Sequence, residues 1–154
     1  MSGGKVLESS RVHDVAFSLV DILALLVAIV LGSMVFFSFV MAPLIFTNLP
    51  AEISGPFIRQ VFPAYYLALA IATAAAAAVG FGDHRLEAFV LLAVCAGFVL
   101  ARQLLMPAIN RHREQLRGEP GAGQSAFGLL HRLSVALNYV QLAAIVFVLV
   151  RVVD

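Results

Sequence analysis

The chain has 154 residues, 62% of them apolar and 12% charged, with a formal net charge of +1. Soluble domains sit near roughly 45–50% apolar and about 25% charged, so an ordinary water-soluble globule is excluded. The charges lie in short stretches between apolar runs, which leaves no basic face for nucleic acid.

Lys5 and Arg11 precede the first apolar run in the manner of a signal peptide. Residues 22–46, however, are 25 consecutive uncharged positions, far more than the roughly 7–15 of a cleavable apolar core. A retained membrane span over about 17–42 is predicted, with Asp21 near its start as a capping or pairing group. After it, Asn48-Leu49-Pro50 reads as an N-cap with proline near a helix start. Residues 51–60 then form a short helix with Ile53, Phe57, Ile58 and Val61 on or near one apolar face, suited to the membrane interface.

Residues 61–82 supply 22 uncharged positions and a second span over about 61–81. The uncharged stretch 88–101 is only 14 residues, short of the roughly 20 needed to cross. Extending the third span over about 86–106, with Pro107 as terminator, restores the length and places Arg102 inside the helix. The fourth span, about 126–150, opens at Ser125 as N-cap and contains the uncharged run 133–150. The expected fold is all-α: one transmembrane domain over 1–154, a membrane-spanning four-helix bundle with a short interfacial helix between spans 1 and 2.

Four spans put both termini on one side, here side A, together with the turn 80–85; side B holds 43–60 and the polar loop 107–125. Side A carries Lys5, Arg11, Arg85 and Arg151. Side B carries Arg59, Arg111, Arg113, Arg117 and Arg132, with Arg102 snorkelling towards it. The balance leans towards a cytoplasmic side B, in a bacterial inner membrane. Within the loop, Arg111-His112-Arg113-Glu114 extends the third helix and the glycine-rich residues after it read as solvated chain.

Polar groups inside spans are informative because hydrocarbon offers them no partner. His131, Ser134, Asn138 and Gln141 recur at i, i+3, i+7 and i+10, an arc of about 80° facing the bundle interior. Tyr65 and Tyr66 open the second span, Arg102 and Asn110 lie near the end of the third, and all converge on the side B half with His131. Candidate binding residues are therefore Tyr65, Arg102, Asn110, His131, Ser134 and Asn138, a polar site between helices. The plainer alternative is that these groups bond one another as interhelical glue.

Catalytic and metal chemistry find less support. Cys95 is the single cysteine, so no CxxC pair exists. Of four histidines only His131 lies in a span, which argues against bis-histidine haem. His131 with Met41 or Met106 is the one conceivable set for haem iron or copper, though methionine in such helices more often serves packing. No nucleophile elbow, phosphate-binding glycine loop or H-E-x-x-H pattern is present. Ala72 and its neighbours to Ala78, with Gly32, Ser33 and Gly97, allow close helix approach.

The stretch from Gly32 to Pro43, Phe46-Thr-Asn-Leu-Pro50, Val61-Phe-Pro-Ala-Tyr-Tyr66, the run from Arg102 to Asn110 and the run from Phe127 to Asn138 together resemble the transmembrane-protein-205-like family, domain of unknown function 4149. The resemblance covers about residues 20–150. It implies a four-helix membrane protein whose bacterial members lack an established activity and whose eukaryotic relative is associated with resistance to platinum drugs. Carried over by position, its motif residues are Pro43, Leu49, Pro50, Phe62, Pro63, Tyr65, Arg102, Pro107, Asn110, His131, Ser134 and Asn138. A remoter likeness to copper-resistance-D-like and haem-biosynthetic four-helix proteins stops at the missing second histidine. The favoured reading is a non-enzymatic binding, accessory or assembly bundle without a cofactor, whose partners are the lipid bilayer, other membrane proteins or itself as a homo-oligomer. The alternatives are a metal or drug-tolerance transporter and a haem- or copper-linked membrane redox protein.

Overall fold

The computed structural model describes residues 18–111 and 124–154, which form four long helices and, among the described residues, no strand. We label them α1 (Leu19–Asn48), α2 (Ala51–Gly80), α3 (Arg85–Arg111) and α4 (Gln124–Val153). All four are long and apolar enough to cross a membrane. The positions 112–123, with His112, Arg113, Glu114 and Arg117, lie outside the described residues, as do Lys5, Arg11 and His13.

Asp21 caps the start of α1. Its backbone N–H donates to Ser18 Oγ at 3.1 Å, while its carboxylate accepts from the Ser18 N–H at 2.9 Å and the Ser18 hydroxyl at 2.8 Å. This capping box satisfies donors that a helix start leaves without partners. At the far end of α1, Thr47 and Asn48 donate back to the carbonyls of Pro43 and Leu44. Leu49, forced out of the α region by the proline that follows it, makes the turn into α2 with an extended backbone.

Three expectations are corrected. The separate interfacial helix over 51–60 does not exist: those residues are the first turns of α2, which runs unbroken through Pro56 and Pro63. Pro107 does not end the third span, because helix continues to Arg111. Ser125, expected as an N-cap, lies inside α4, whose described part opens at Gln124. The reason shared by the first two is that a proline removes one hydrogen bond, whereas ending a helix in hydrocarbon frees several backbone groups with no water to receive them.

Two of the prolines are accommodated by the same device. Residues Phe37–Met41 of α1 and Ala101–Leu105 of α3 form π turns, in which the Ala42 and Met106 N–H groups reach back to the Phe37 and Ala101 carbonyls. Each π turn is followed by one ordinary residue and then by Pro43 or Pro107. The wider register ahead of the ring relieves the demand for a donor that proline lacks. The parallel extends to packing: buried Leu23, Val27, Val30, Met34 and Phe37 in α1 are matched at one constant offset by buried Glu87, Leu91, Val94, Phe98 and Ala101 in α3.

The helices form a square in which α1 packs on α2 and α4 and α3 packs on α2 and α4, and among the described residues the backbones of the diagonal pairs do not approach one another. Every edge carries a polar tie. The Tyr65 hydroxyl donates to the Ser33 carbonyl at 3.2 Å (α2 to α1), Arg102 Nε to the Pro63 carbonyl at 3.1 Å (α3 to α2), Gln141 Nε2 to the Val94 carbonyl at 3.0 Å (α4 to α3), and Asn138 Nδ2 to Ser38 Oγ at 3.0 Å (α4 to α1). The core of Leu23, Val27, Val30, Leu91, Phe98, Ile145 and Val148 fills the half of the bundle that contains Gly80 and Arg85. There the α2–α3 turn is tight: a Cβ on Gly80 would meet the Ala88 Cβ at 3.4 Å.

Candidate functional site

In the opposite half, the four helices part around a cavity of about 390 Å³. The parting follows from the local sequence. Prolines and π turns in α1 and α3 interrupt regular ridge-into-groove packing, and α4 has the least buried span of the four. α1 contributes Phe37, Ser38, Ala42 and Phe46; α2 contributes Ile58, Arg59, Phe62, Tyr65 and Tyr66; α3 contributes Met106, Ile109 and Asn110; α4 contributes His131, Ser134, Val135, Asn138 and Tyr139.

Five of the six residues singled out from the sequence, Tyr65, Asn110, His131, Ser134 and Asn138, stand around this one cavity. Arg102 does not line it and instead ties α3 to the Pro63 carbonyl. In a regular helix Arg102 would share a face with Met106 and Asn110. The π turn inserts an extra residue ahead of that pair, which rotates Arg102 by about 100° away from their face.

The stripe on α4 divides by depth. His131 is exposed, Ser134 and Asn138 are half-buried, and Gln141 is buried. Gln141 belongs to the core side: a Cβ at Gly97 would approach its Nε2 to 2.7 Å, so the glycine leaves room for the amide that bonds Val94. Asn138 forms the floor of the cavity on the α1–α4 edge through Ser38. The Ser134 hydroxyl donates to the His131 carbonyl at 2.8 Å, one turn back on its own helix.

The inner wall is aromatic. Phe37 stacks on Tyr65 with ring centroids 4.4 Å apart at 23°, meets Phe62 edge-on at 5.1 Å, and Phe62 reaches Tyr66 at 5.4 Å. Tyr66 in turn lies 6.2 Å from Phe98, so the wall runs into the core. Arg59 is the one lining side chain with a permanent charge, and no carboxylate lines the cavity among the described residues. The arrangement is an apolar enclosure with a few polar groups and one cation, able to hold an amphipathic molecule rather than to activate a nucleophile.

Sequence reasoning missed Ser38, Arg59, Phe46 and Tyr139. Two signals were available: Ser38, Ala42 and Phe46 recur every four residues, and Arg59, Phe62 and Tyr66 share a face once α2 is one helix. Met106, paired with His131 as conceivable soft ligands, does line the cavity; Met41 does not. Among the described residues, no three of His, Cys, Asp and Glu converge as a metal-holding group.

Residues 25–118 match the family described as domain of unknown function (DUF4149). The chain belongs to that family. No curated protein and no solved structure matches it. The matched region covers α1 from Leu25 onwards, α2 and α3 and ends before α4, so His131, Ser134 and Asn138 lie outside it.

Proposed function

We propose that this DUF4149 membrane protein is a non-enzymatic binding bundle whose inter-helix cavity holds a small amphipathic molecule at one membrane face. The observation that carries the reading is the cavity itself, formed by all four helices, with an aromatic inner wall and with Arg59, Asn110 and His131 among its polar lining. Its size lies within the roughly 300–1,000 Å³ of ligand sites. A non-enzymatic role is supported by the use of the Ser134 hydroxyl as donor to a backbone carbonyl of its own helix. The finer kinship with transmembrane-protein-205-like proteins is part of the same proposal, supported by the order of motifs from Gly32 to Asn138.

The test is native mass spectrometry of protein purified gently from its own membrane, compared with Ser134→Phe, which fills the cavity, and with His131→Ala. The expected result is a bound small molecule on the parent chain that falls several-fold in both variants while the protein stays folded. Identical adducts on all three proteins would refute the reading. A stoichiometric metal or chromophore lost with His131→Ala would replace it with a redox or metal-handling function.

A further inference from the structure

Tyr66 is 8% exposed and lines the cavity, yet among the described residues its hydroxyl has no hydrogen-bond partner. Its contacts are ring contacts, with Phe62, Tyr65 and Phe98. A buried hydroxyl in that state costs free energy, and such groups are nearly always paired. The space from which a partner can come is the cavity.

A repeated pattern shows what surrounds that space. Leu69, Thr73 and Ala76, buried in α2, are matched at one constant offset by Gln141, Ile145 and Val148, buried in α4. With the match already seen between α1 and α3, the hairpins α1–α2 and α3–α4 repeat one packing pattern, and the cavity lies between them. Carried into the cavity, the two offsets pair Phe46 with Asn110, Phe62 with Ser134 and Tyr66 with Asn138, and all six line it. At each pair the first hairpin supplies an aromatic ring and the second an amide or hydroxyl. The cavity thus has a ring wall and a hydrogen-bonding wall. Tyr66 and Asn138 stand midway along their helices, at the depth where a charge is most costly in a membrane.

Resting on the reading of this cavity as a binding site, we propose that its occupant is a membrane-dissolved molecule whose head is a flat, uncharged ring with a carbonyl oxygen at its inner edge, and that Tyr66 donates to that oxygen. The ring lies against the aromatic wall. The oxygen meets two donors at the floor, the Tyr66 hydroxyl and the second Nδ2 hydrogen of Asn138, whose first goes to Ser38. A hydrocarbon ring of the same shape leaves the Tyr66 hydroxyl unpaired.

Fluorenone and fluorene differ by one carbonyl oxygen and serve as probes. Their binding to the purified chain is measured by equilibrium dialysis in a mild detergent, with uptake by empty micelles subtracted. Fluorenone is expected to bind about three- to tenfold more tightly than fluorene, the range of one hydrogen bond. Tyr66→Phe should abolish that preference while leaving fluorene binding unchanged, so that an intact cavity is read in the same variant, and Ser134→Phe should reduce both. The carbonyl stretching frequency of bound fluorenone should lie below its value in hydrocarbon and rise in Tyr66→Phe, a change that a merely structural role of the tyrosine does not produce.

Equal binding of the two rings to the parent chain, both reduced by Ser134→Phe, overturns the carbonyl-bearing head and leaves the binding cavity standing. A preference for fluorenone that survives Tyr66→Phe overturns the role of Tyr66. Binding of neither ring overturns the ring ligand; the binding reading falls with it only if the adducts on protein from its own membrane are also unchanged by Ser134→Phe, so the two failures are distinct.

Discussion

At the end of the bundle that holds Gly80 and Arg85, Leu91, Phe98, Ile145 and Val148 have no exposed surface, and a Cβ added at Gly80 would come into van der Waals contact with Ala88 and Leu23. At the other end the same four helices stand around an open volume, with Pro43, Pro56, Pro63 and Pro107 all in that half. Both ends face the same apolar solvent, so helix association at either is driven by packing and hydrogen bonds rather than by expulsion of water. The closed end uses small residues and interlocking aliphatic side chains. The open end gives up contact where prolines and π turns disturb the helix surface, and its polar groups hold the edges of the square together. The difference teaches that the cavity goes with backbone irregularity in α1 and α3 rather than with small side chains.

The comparison is most easily broken by truncating one aromatic at each end. Phe98→Ala should destabilise the protein by about 3–5 kcal/mol, because it opens a hole in a filled core, whereas Phe62→Ala, which enlarges a space already present, should change stability by less than about 1 kcal/mol. Thermal unfolding in a mild detergent measures both, and equal losses would mean that the open end is as tightly packed as the closed one. Next in size is Gly97→Ala, whose added methyl meets the Gln141 amide and should cost about 1–3 kcal/mol as an overpacked site. In a Gln141→Ala background the same substitution should be nearly neutral, and additivity of the two changes would remove the steric argument.

Smaller effects sharpen the comparison. At the closed end Arg151 Nε sits 3.1 Å from the Glu87 carboxylate, whose side chain is 4% exposed against 57% for the arginine. Arg151→Gln should lower stability by about 1 kcal/mol or less, the half-exposed partner being well screened, and the loss should shrink further with salt. Smallest is the tie on the α1–α4 edge, at the floor of the cavity. A double-mutant cycle of Ser38→Ala and Asn138→Ala should give a coupling of about 0.6 kcal/mol, typical of interhelical hydrogen bonds in membranes. Zero coupling would move the boundary between the two ends elsewhere.

Much of the candidate site was legible because periodicity is a local property. The spacing of His131, Ser134, Asn138 and Gln141 fixes their common face on any α-helix, and the helical direction of each span turns Tyr65 and Asn110 towards the same half of the bundle. Arg102 was misassigned because its direction depends on a π turn, and π turns have no periodicity signal of their own. Ser38 and Arg59 were missed for a different reason. Their significance lies in facing Asn138 and the shared cavity across helices far apart in the chain.

Composition and run length alone determined the solvent and the all-helical class, since long uncharged runs must satisfy their backbone internally in a bilayer. The sequence also located the polar face of α4 and the capping role of Asp21. Only the tertiary structure decided that Pro56, Pro63 and Pro107 leave their helices unbroken, that Arg102 turns to α2, and that the four helices part around a cavity. Each depends on what stands opposite a freed carbonyl or a helix face, and that is set by the order of helices around the square rather than by any residue's neighbours in the chain.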